Sequence, residues 1–308
     1  MPGPEQHPQA LTAAALDLSS AGPVRRIGAR TFDFSRQVAV MAIVNRTVDS
    51  FYDRGATFAW DAAVAAVQRA VDAGADWVDI GGVPFSPVAA AVSEAEEVER
   101  VVPLVRAARS ITDAVISVDT FRPAVAAQAL QAGADAVNDT SGLFDPTLAE
   151  VVAAAGGTLI VCHSKAAPRT TLDRPTYVDV VAEVRAFLLA RVAVALAHGM
   201  PADRIVVDPG HDLNKNTLHS LELTRRLAEL STLGYPLLAA VSNKDFIAET
   251  VGLAKSELLS ATTATHVLCV LQGARVLRVH DVPAAVSAVR LVEAVLGWRA
   301  PAELRHNV

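Results

Sequence analysis

The chain has few cysteines, few aromatic residues and no excess of positive charge. Cys162 and Cys269 are its only cysteines, and their wide separation in 308 residues excludes a disulfide framework and fits a reducing compartment. A formal net charge of −6 argues against the basic patch that nucleic-acid binding needs. No uninterrupted apolar run approaches the roughly 20 residues that cross a bilayer. We therefore expect a cytoplasmic protein that binds neither nucleic acid nor membrane.

Aromatic residues make up only 5% of the chain, although hydrophobic residues make up 52%. A large core must therefore be filled by Val, Ala, Leu and Ile, the residues expected in the interior of a β/α barrel. We expect a flexible N-terminal tail over residues 1–22, one domain over residues 23–300 and a short C-terminal tail over residues 301–308.

Eight short apolar runs alternate with alanine-rich stretches of helical pattern. Each run is almost continuously apolar, as a strand buried on both faces of a parallel sheet should be. Eight such strands with helices between them predict a single closed (β/α)8 TIM-type barrel, with a doubly wound open sheet as the alternative. The predicted strands are Val38–Val44, Trp77–Ile80, Val115–Val118, Ala136–Asn138, Thr158–Cys162, Ile205–Val207, Leu237–Val241 and Val276–Val279. The predicted helices are Asp61–Asp72, Ser93–Ala108, Pro123–Gln131, Tyr177–Ala197, Thr217–Leu233, Lys255–Leu271 and Pro283–Leu296.

Polar side chains follow the predicted strands at their carboxyl ends. These ends meet on one face of a β/α barrel, where the active sites of this fold lie. One Asp at the end of a strand usually caps the next helix, but a polar residue after every one of eight strands predicts a site. These residues are Asn45, Asp79, Asp119, Asn138, His163, Asp208, Lys244 and, on the last strand, Arg278 and His280.

Two carboxylates, an amide and an amine are found at the ends of the third, fourth, sixth and seventh predicted strands. Together they suit a flat heterocycle with hydrogen-bond donors and acceptors around its edge, such as a pterin. Each would make a directed hydrogen bond worth about 1.5–3 kcal/mol when one partner is charged. The four residues are Asp119, Asn138, Asp208 and Lys244.

An anion site is predicted beside this set. Arg278 and His280 alternate on the eighth strand and therefore point to the same side. Phosphate sites commonly lie near the seventh and eighth strands of this fold. Asn45, on the first strand, would be adjacent to the eighth strand in a closed barrel.

Other polar residues near the strand ends have ordinary structural explanations. Asp79 is expected to support the neighbouring loop, and Lys215 fits a solvated surface charge. His163 fits a satisfied buried histidine as well as a ligand contact. His211 and Asp212 could be metal ligands, but no third ligand is spaced around them.

Seven segments of the chain resemble the signatures of dihydropteroate synthases. They occur in the same order and spacing, from about residue 38 to the last helix, and are specific when taken together. The segments are Met41–Phe51, Gly74–Gly82, Ile116–Thr120, Val137–Asp139, Asp208–Gly210, Ser242–Lys244 and Arg278–Asp281.

The resemblance implies a β/α barrel, usually a homodimer, that acts in folate biosynthesis. The family joins 6-hydroxymethyl-7,8-dihydropterin diphosphate to 4-aminobenzoate and releases pyrophosphate. The likeness also implies a pterin site formed by Asp119, Asn138, Asp208 and Lys244. The residues that it implies for catalysis are Lys244, Asp119, Arg278 and His280.

The same resemblance implies how the diphosphate is held. Arg278 and His280 would bind it, and Asn45 would help to place Mg²⁺. Preorganised positive charge and a metal ion would stabilise the diphosphate as its C–O bond breaks.

The segments that border the acceptor differ from the family pattern. In the loop after the second strand, Phe85 and Ser86 replace the Thr and Arg of Glu-Ser-Thr-Arg-Pro-Gly, and loss of the Arg removes roughly 2–3 kcal/mol of anion binding. On the seventh strand, Ser-Arg-Lys-Ser becomes Ser-Asn-Lys-Asp, with Asn243 and Asp245 at the changed positions. The Asp245 carboxylate would repel an anionic acceptor. After the sixth strand, residues 211–214 replace a Gly/Phe-rich turn.

Three functions are compatible with these observations. The first is a transferase that moves the pterin-methyl group to 4-aminobenzoate or a related acceptor. The second is a pterin-binding paralogue without synthase activity, because the acceptor side is altered. The third is a methyltetrahydrofolate-type methyltransferase, which Arg278 and His280 favour less because the pair suits a diphosphate better than a methyl donor.

Overall fold

A closed barrel preceded by a short hairpin forms the described part of the chain. The computed structural model describes residues 22–46, 59–84, 90–170 and 172–306. The antiparallel hairpin consists of β1 (Val24–Ile27) and β2 (Arg30–Asp33). Eight parallel strands follow within the described ranges: β3 (Ala39–Asn45), β4 (Trp77–Gly81), β5 (Val115–Asp119), β6 (Ala136–Asp139), β7 (Thr158–Cys162), β8 (Ile205–Asp208), β9 (Leu237–Ala239) and β10 (Ala274–Val279).

The ring of strands is complete, which confirms the predicted barrel and excludes the open doubly wound sheet. Each barrel strand pairs with the next in sequence, and β10 pairs in parallel with both β9 and β3. All eight predicted strands are present, with differences only at their ends. For example, the seventh ends at Ala239 instead of Val241, and the eighth begins at Ala274 instead of Val276.

Helices cover the outside of the barrel. They are α1 (Trp60–Asp72), α2 (Glu94–Ile111), α3 (Pro123–Gln131), α4 (Thr147–Ala154), α5 (Val180–Ala197), α6 (Thr217–Arg225), α7 (Asp245–Val251), α8 (Leu259–Leu271) and α9 (Val282–Val295). Gly74 and Gly133 follow α1 and α3 with φ values of +93° and +113°, a conformation that glycine accepts without strain. Within the described residues, no helix is long and apolar enough to cross a membrane.

Three helix predictions are corrected by the structure. The helix predicted from Lys255 begins instead at Leu259, after a 3-10 turn over Lys255–Glu257. The predicted helix Thr217–Leu233 ends at Arg225 and continues as two 3-10 turns, in which Leu227, Leu230 and Leu233 recur every third residue and are all buried. The predicted helix from Tyr177 begins instead at Val180, because the Asp179 carboxylate accepts the backbone N–H groups of the first turn. The short helices α4 and α7 and the β1–β2 hairpin were not predicted.

The hairpin closes the end of the barrel opposite the strands' carboxyl ends. Phe32 and Phe34 stack with ring centroids 5.6 Å apart, and Phe32 lies 6.0 Å from the ring of Trp77, the first residue of β4. These rings and Ile27 pack on Met41 and other side chains inside the barrel. The closed end is apolar, so the polar cavity lies at the other end.

Candidate functional site

A cavity of about 600 Å³ opens at the carboxyl ends of the barrel strands and is called the mouth cavity below. Its lining includes every predicted ligand residue that the structure describes. Phe85 and Ser86 lie outside the described residues. The predicted residues that line the cavity are Asn45, Asp119, Asn138, Asp208, Asn243, Lys244, Asp245, Arg278 and His280.

Strand register places one row of these residues side by side. Asn45 pairs with Gly81, Gly81 with Asp119, and Asp119 with Asn138. A side chain at position 81 would be too close to Asn45, because a Cβ there would lie 2.7 Å from Asn45 Oδ1. Glycine at the end of β4 therefore leaves room for the Asn45 side chain.

Asp79 is the hydrogen-bonding centre of the site. Its fully buried carboxylate accepts the Ser117 hydroxyl at 2.6 Å, Asn138 Nδ2 at 3.1 Å and Arg278 Nε at 2.7 Å. Asp79 is structural, as expected, but it connects strands and does not support a loop. Asp79 and Gly81 lie two residues apart on one strand and so on one face, and this alternation could have indicated that Asp79 points into the barrel.

Asp119 shares the Arg278 guanidinium with Asp79. Arg278 Nη2 donates to Asp119 Oδ2 at 3.0 Å. Burial raises the pKa of Asp119 to about 7; the charge of Arg278 opposes the rise, and the charge of Asp79 adds to it. Asp119 is therefore protonated part of the time near neutral pH.

Replacing Asp119 with Asn should change the pH dependence of stability. A folded-state pKa of about 7 means that the native protein binds a proton that the unfolded chain releases near pH 4, so the contribution of this group falls as pH rises from about 4 to 7. Asp119→Asn has no carboxyl group to titrate at this position, so its stability should not fall in this way as the pH rises. We expect its free energy of unfolding to exceed that of the wild type by about 1–2 kcal/mol at pH 8 and by much less at pH 4.5. Urea unfolding at both pH values measures the difference, and an equal difference at the two would contradict the assignment.

Asn138 presents an unused acceptor to the cavity. Its side chain is 1% exposed, and Nδ2 is held by Asp79. Its Oδ1 is buried and has no hydrogen-bond partner among the described residues. An unmet buried acceptor costs about 1–3 kcal/mol. The amide is therefore oriented so that an occupant of the cavity could supply the missing donor.

Asp208 and Lys244 complete this side of the cavity. Asp208 Oδ1 accepts the backbone N–H of Gly210 at 2.7 Å. Burial raises the pKa of Asp208, while the Gly210 hydrogen bond and the charge of Lys244 oppose the rise. Lys244 directly precedes α7, at the end of the loop that follows β9.

Lys215 is buried, so the prediction that it is a surface charge is wrong. Its Nζ donates to His163 Nδ1 at 2.9 Å, to the Gly210 carbonyl at 2.7 Å and to the Leu213 carbonyl at 3.0 Å. Burial lowers the pKa of Lys215 to about 7, and burial and Lys215 together lower the pKa of His163 to about 2. Lys215 therefore holds the turn after β8. His163 was interpreted either as a buried histidine with its hydrogen bond made inside the protein or as a ligand contact, and its bond to Lys215 supports the first.

His280 is oriented by a serine in the turn that follows β9. Its backbone N–H donates to Ser242 Oγ at 3.1 Å, and its Nδ1 lies 3.0 Å from the same oxygen. These two contacts fix the imidazole beside Arg278 at the end of β10.

The acceptor side, as the term is used below, comprises Asp212, Asn243, Asp245 and Lys255, which all line the cavity. Asp245 Oδ1 lies 2.7 Å from Lys255 Nζ, and both side chains are partly exposed. Lys255 was not predicted, and it partly neutralises the repulsive charge expected of Asp245. Lys255 is far from β9 along the sequence, so no motif at the end of that strand indicated that it would reach the cavity.

Asp212 and Asn243 are held by internal contacts. Asp212 Oδ2 accepts the Phe246 backbone N–H at 3.4 Å, and Oδ1 accepts the Ser220 hydroxyl at 3.0 Å. Asn243 Oδ1 accepts the Thr262 hydroxyl at 3.3 Å, which ties the loop to α8. The acceptor side therefore carries two carboxylates and one ammonium group.

The metal interpretations can be tested on donor chemistry. No group of three or more His, Cys, Asp or Glu side chains arranged to hold a metal occurs in the part of the chain that the structure describes, which leaves His211 and Asp212 without further ligands. Mg²⁺ usually keeps several waters and takes one or two protein oxygens together with substrate phosphates. The amide oxygen of Asn45, at the cavity rim, fits that mode of binding.

Comparisons with known proteins agree with this geometry. Residues 41–280 match the family model described as pterin binding enzyme. The chain is 45% identical over 268 residues to "Inactive dihydropteroate synthase 2" of Mycobacterium leprae, which covers 85% of this chain and 92% of that protein. It is 37% identical to the dihydropteroate synthase of Escherichia coli, covering 83% and 91%.

Solved structures give the same result. The dihydropteroate synthase of Yersinia pestis in a sulfonamide drug complex superposes with a TM-score of 0.85 at 34% identity, covering 89% of this chain and 99% of that one. The dihydropteroate synthase of Xanthomonas albilineans in complex with 7,8-dihydropteroate gives a TM-score of 0.78 at 36% identity, covering 89% and 98%.

Proposed function

Because the chain belongs to the dihydropteroate synthase family of pterin-binding enzymes, we propose that it binds 6-hydroxymethyl-7,8-dihydropterin diphosphate in the mouth cavity and does not condense it with 4-aminobenzoate. The Asn138 amide carries the first half of this proposal. Its Oδ1 is buried and lacks a partner within the described residues, while its Nδ2 is fixed by Asp79. A pterin ring edge offers N–H donors that would satisfy it.

Three further residues would bind the ring around its edge. Asp119 and Asp208 offer carboxylate acceptors from β5 and β8, and Lys244 offers an ammonium donor. Donors and acceptors on several sides of the cavity suit a flat ring with both kinds of group. The solved X. albilineans relative contains 7,8-dihydropteroate, which supports a pterin as the occupant.

The diphosphate would lie beside β10 and β3. Arg278 would supply positive charge, but two of its nitrogens already bind Asp79 and Asp119, so it acts as a fixed group and not as a mobile arm. His280 would contact the diphosphate from the position that Ser242 sets. Asn45 would help to hold Mg²⁺, which when bound would neutralise part of the negative charge of the diphosphate.

The acceptor side supports the second half of the proposal. Asp212 and Asp245 place two carboxylates where the anionic acceptor would lie, and Lys255 is already paired with Asp245. A relative that shares 45% identity with this chain is named an inactive synthase. Repulsion between like charges would weaken 4-aminobenzoate binding and keep condensation slow.

Titration calorimetry and a pyrophosphate-release assay test both halves. We expect the pterin diphosphate with Mg²⁺ to bind in the micromolar range or tighter, and we expect no pyrophosphate release on addition of 4-aminobenzoate. The E. coli synthase under the same conditions is the positive control. Absence of pterin binding would refute the first half, and turnover comparable with the control would refute the second.

We also propose a cytoplasmic homodimer formed through α8 and α9. Both cysteines are buried and unpaired, as in a reducing compartment. Leu268 on α8 is 54% exposed and Leu291 on α9 is 66% exposed, and the two helices contact each other. Exposed leucines on two adjoining helices support an interaction surface there.

Sedimentation velocity tests the dimer. The wild type should sediment near twice the monomer mass of 32.3 kDa, and Leu291→Asp should shift the population towards monomer because it would place a charge in the interface. A monomeric wild type would contradict the proposal.

A further inference from the structure

His211 lies next to the acceptor side and is not satisfied by the protein itself. Its side chain is 1% exposed and lines the mouth cavity. Neither ring nitrogen has a hydrogen-bond partner among the described residues. The ring stacks on Phe246 at a centroid distance of 5.9 Å and an interplanar angle of 22°, which fixes its orientation. Buried polar atoms without partners call for an explanation, and the cavity that His211 lines offers one, a bound group.

The protonation state of His211 sets what it can bind. Burial lowers the pKa of His211 to about 3, and the charges of Lys215 and Lys244 add to the effect. The ring is therefore uncharged at neutral pH and offers one N–H donor and one nitrogen acceptor. It would give no charge attraction to a carboxylate.

The surroundings of His211 also disfavour an anion. Asp212, the next residue, directs its Oδ2 to the backbone N–H of Phe246, and Asp245 precedes Phe246 in α7. A ligand carboxylate here would meet these two carboxylates, with Lys255 already paired to Asp245. An uncharged amide would avoid that repulsion and could still pair with one ring nitrogen of His211, as a donor or as an acceptor.

We propose that the acceptor side takes an arylamine that carries an uncharged amide group in place of a carboxylate, and that His211 is the residue that selects it. The inference rests on the proposed function, since it concerns the second ligand of the same cavity. His211 belongs to the segment in which residues 211–214 replace the family's Gly/Phe-rich turn.

A matched control exists in the same chain. His266 on α8 is 3% exposed, and its two ring nitrogens also lack partners among the described residues, yet it does not line the mouth cavity. His211→Phe and His266→Phe remove the same atoms and keep an aromatic ring. Replacement of unsatisfied polar atoms by apolar ones is often neutral for stability, so both variants should fold. His211→Gln retains a donor and an acceptor.

The probes are 4-aminobenzamide and 4-aminobenzoate, which differ only in the group at issue. Each is titrated by ligand-observed NMR into the full-length protein, with and without saturating dihydropterin diphosphate and Mg²⁺. We expect the wild type and His266→Phe to bind the amide at least roughly tenfold tighter than the carboxylate, as one recovered hydrogen bond would allow. His211→Phe should lose that preference, and His211→Gln should retain part of it.

Equal affinity for the two probes, tighter binding of the carboxylate, binding of neither, or a preference unchanged in His211→Phe would each overturn the proposal. A separate pterin titration without aryl probes distinguishes this failure from failure of the proposed function. If the pterin binds and the amide preference is absent, only the inference about the second ligand is wrong.

Discussion

Replacing Asp79 with Ala should lower the free energy of unfolding by about 3–5 kcal/mol, the range found when one partner of a buried ion pair is removed. The substitution leaves the Ser117 hydroxyl, Asn138 Nδ2 and Arg278 Nε without their buried acceptor. Arg278 would retain Asp119 as its partner, so the barrel should still fold. Urea unfolding monitored by tryptophan fluorescence and circular dichroism measures the loss.

Asp113→Ala is the control for this experiment. Asp113 also pairs with an arginine, Arg30, but its side chain is 81% exposed. Exposed ion pairs contribute about 0–1 kcal/mol, so the control should be close to the wild type. A loss below 1 kcal/mol for Asp79→Ala would show that Asp79 does not hold the strands of the site together.

Asn138→Ala should weaken binding of the dihydropterin diphosphate by roughly 5- to 150-fold, corresponding to about 1–3 kcal/mol. The variant removes the acceptor that would meet the pterin ring and also one hydrogen bond of Asp79. Titration calorimetry at constant Mg²⁺ measures the change.

Asn216→Ala serves as the matched amide control. Asn216 caps α6 through its side chain and does not line the mouth cavity. Its loss should reduce stability by about 1 kcal/mol and leave pterin affinity within about twofold. Equal affinities of the wild type and Asn138→Ala would remove Asn138 from the pterin site.

The barrel could be predicted because its signals are local. Each barrel strand is a continuous apolar run, and glycine marks the ends of several helices. The β1–β2 hairpin lacked such a signal, because Arg25 is buried while Val24 is 55% exposed, opposite to their polarities. The helix α7 has only seven residues and begins directly after the Ser242–Lys244 motif, too short for a helical pattern to be recognised.

Topology could predict which residues line the mouth cavity, but it could not predict the contacts that their side chains make. Closure of the barrel brings polar strand ends to one cavity wherever they stand in the sequence. The pairing of Arg278 with Asp79, the burial of Lys215 and the approach of Lys255 to Asp245 all depend on side-chain directions. Residue type and spacing indicate that a polar residue lies at the site, but they do not indicate which partner it contacts.

A crystal structure of the protein soaked with 6-hydroxymethyl-7,8-dihydropterin diphosphate and Mg²⁺ tests the central claim most directly. We predict the pterin ring in the mouth cavity, with a ring donor within about 3.2 Å of Asn138 Oδ1 and the diphosphate beside Arg278 and His280. A ring bound on another surface, or a cavity without ligand at saturating concentration, would contradict the account.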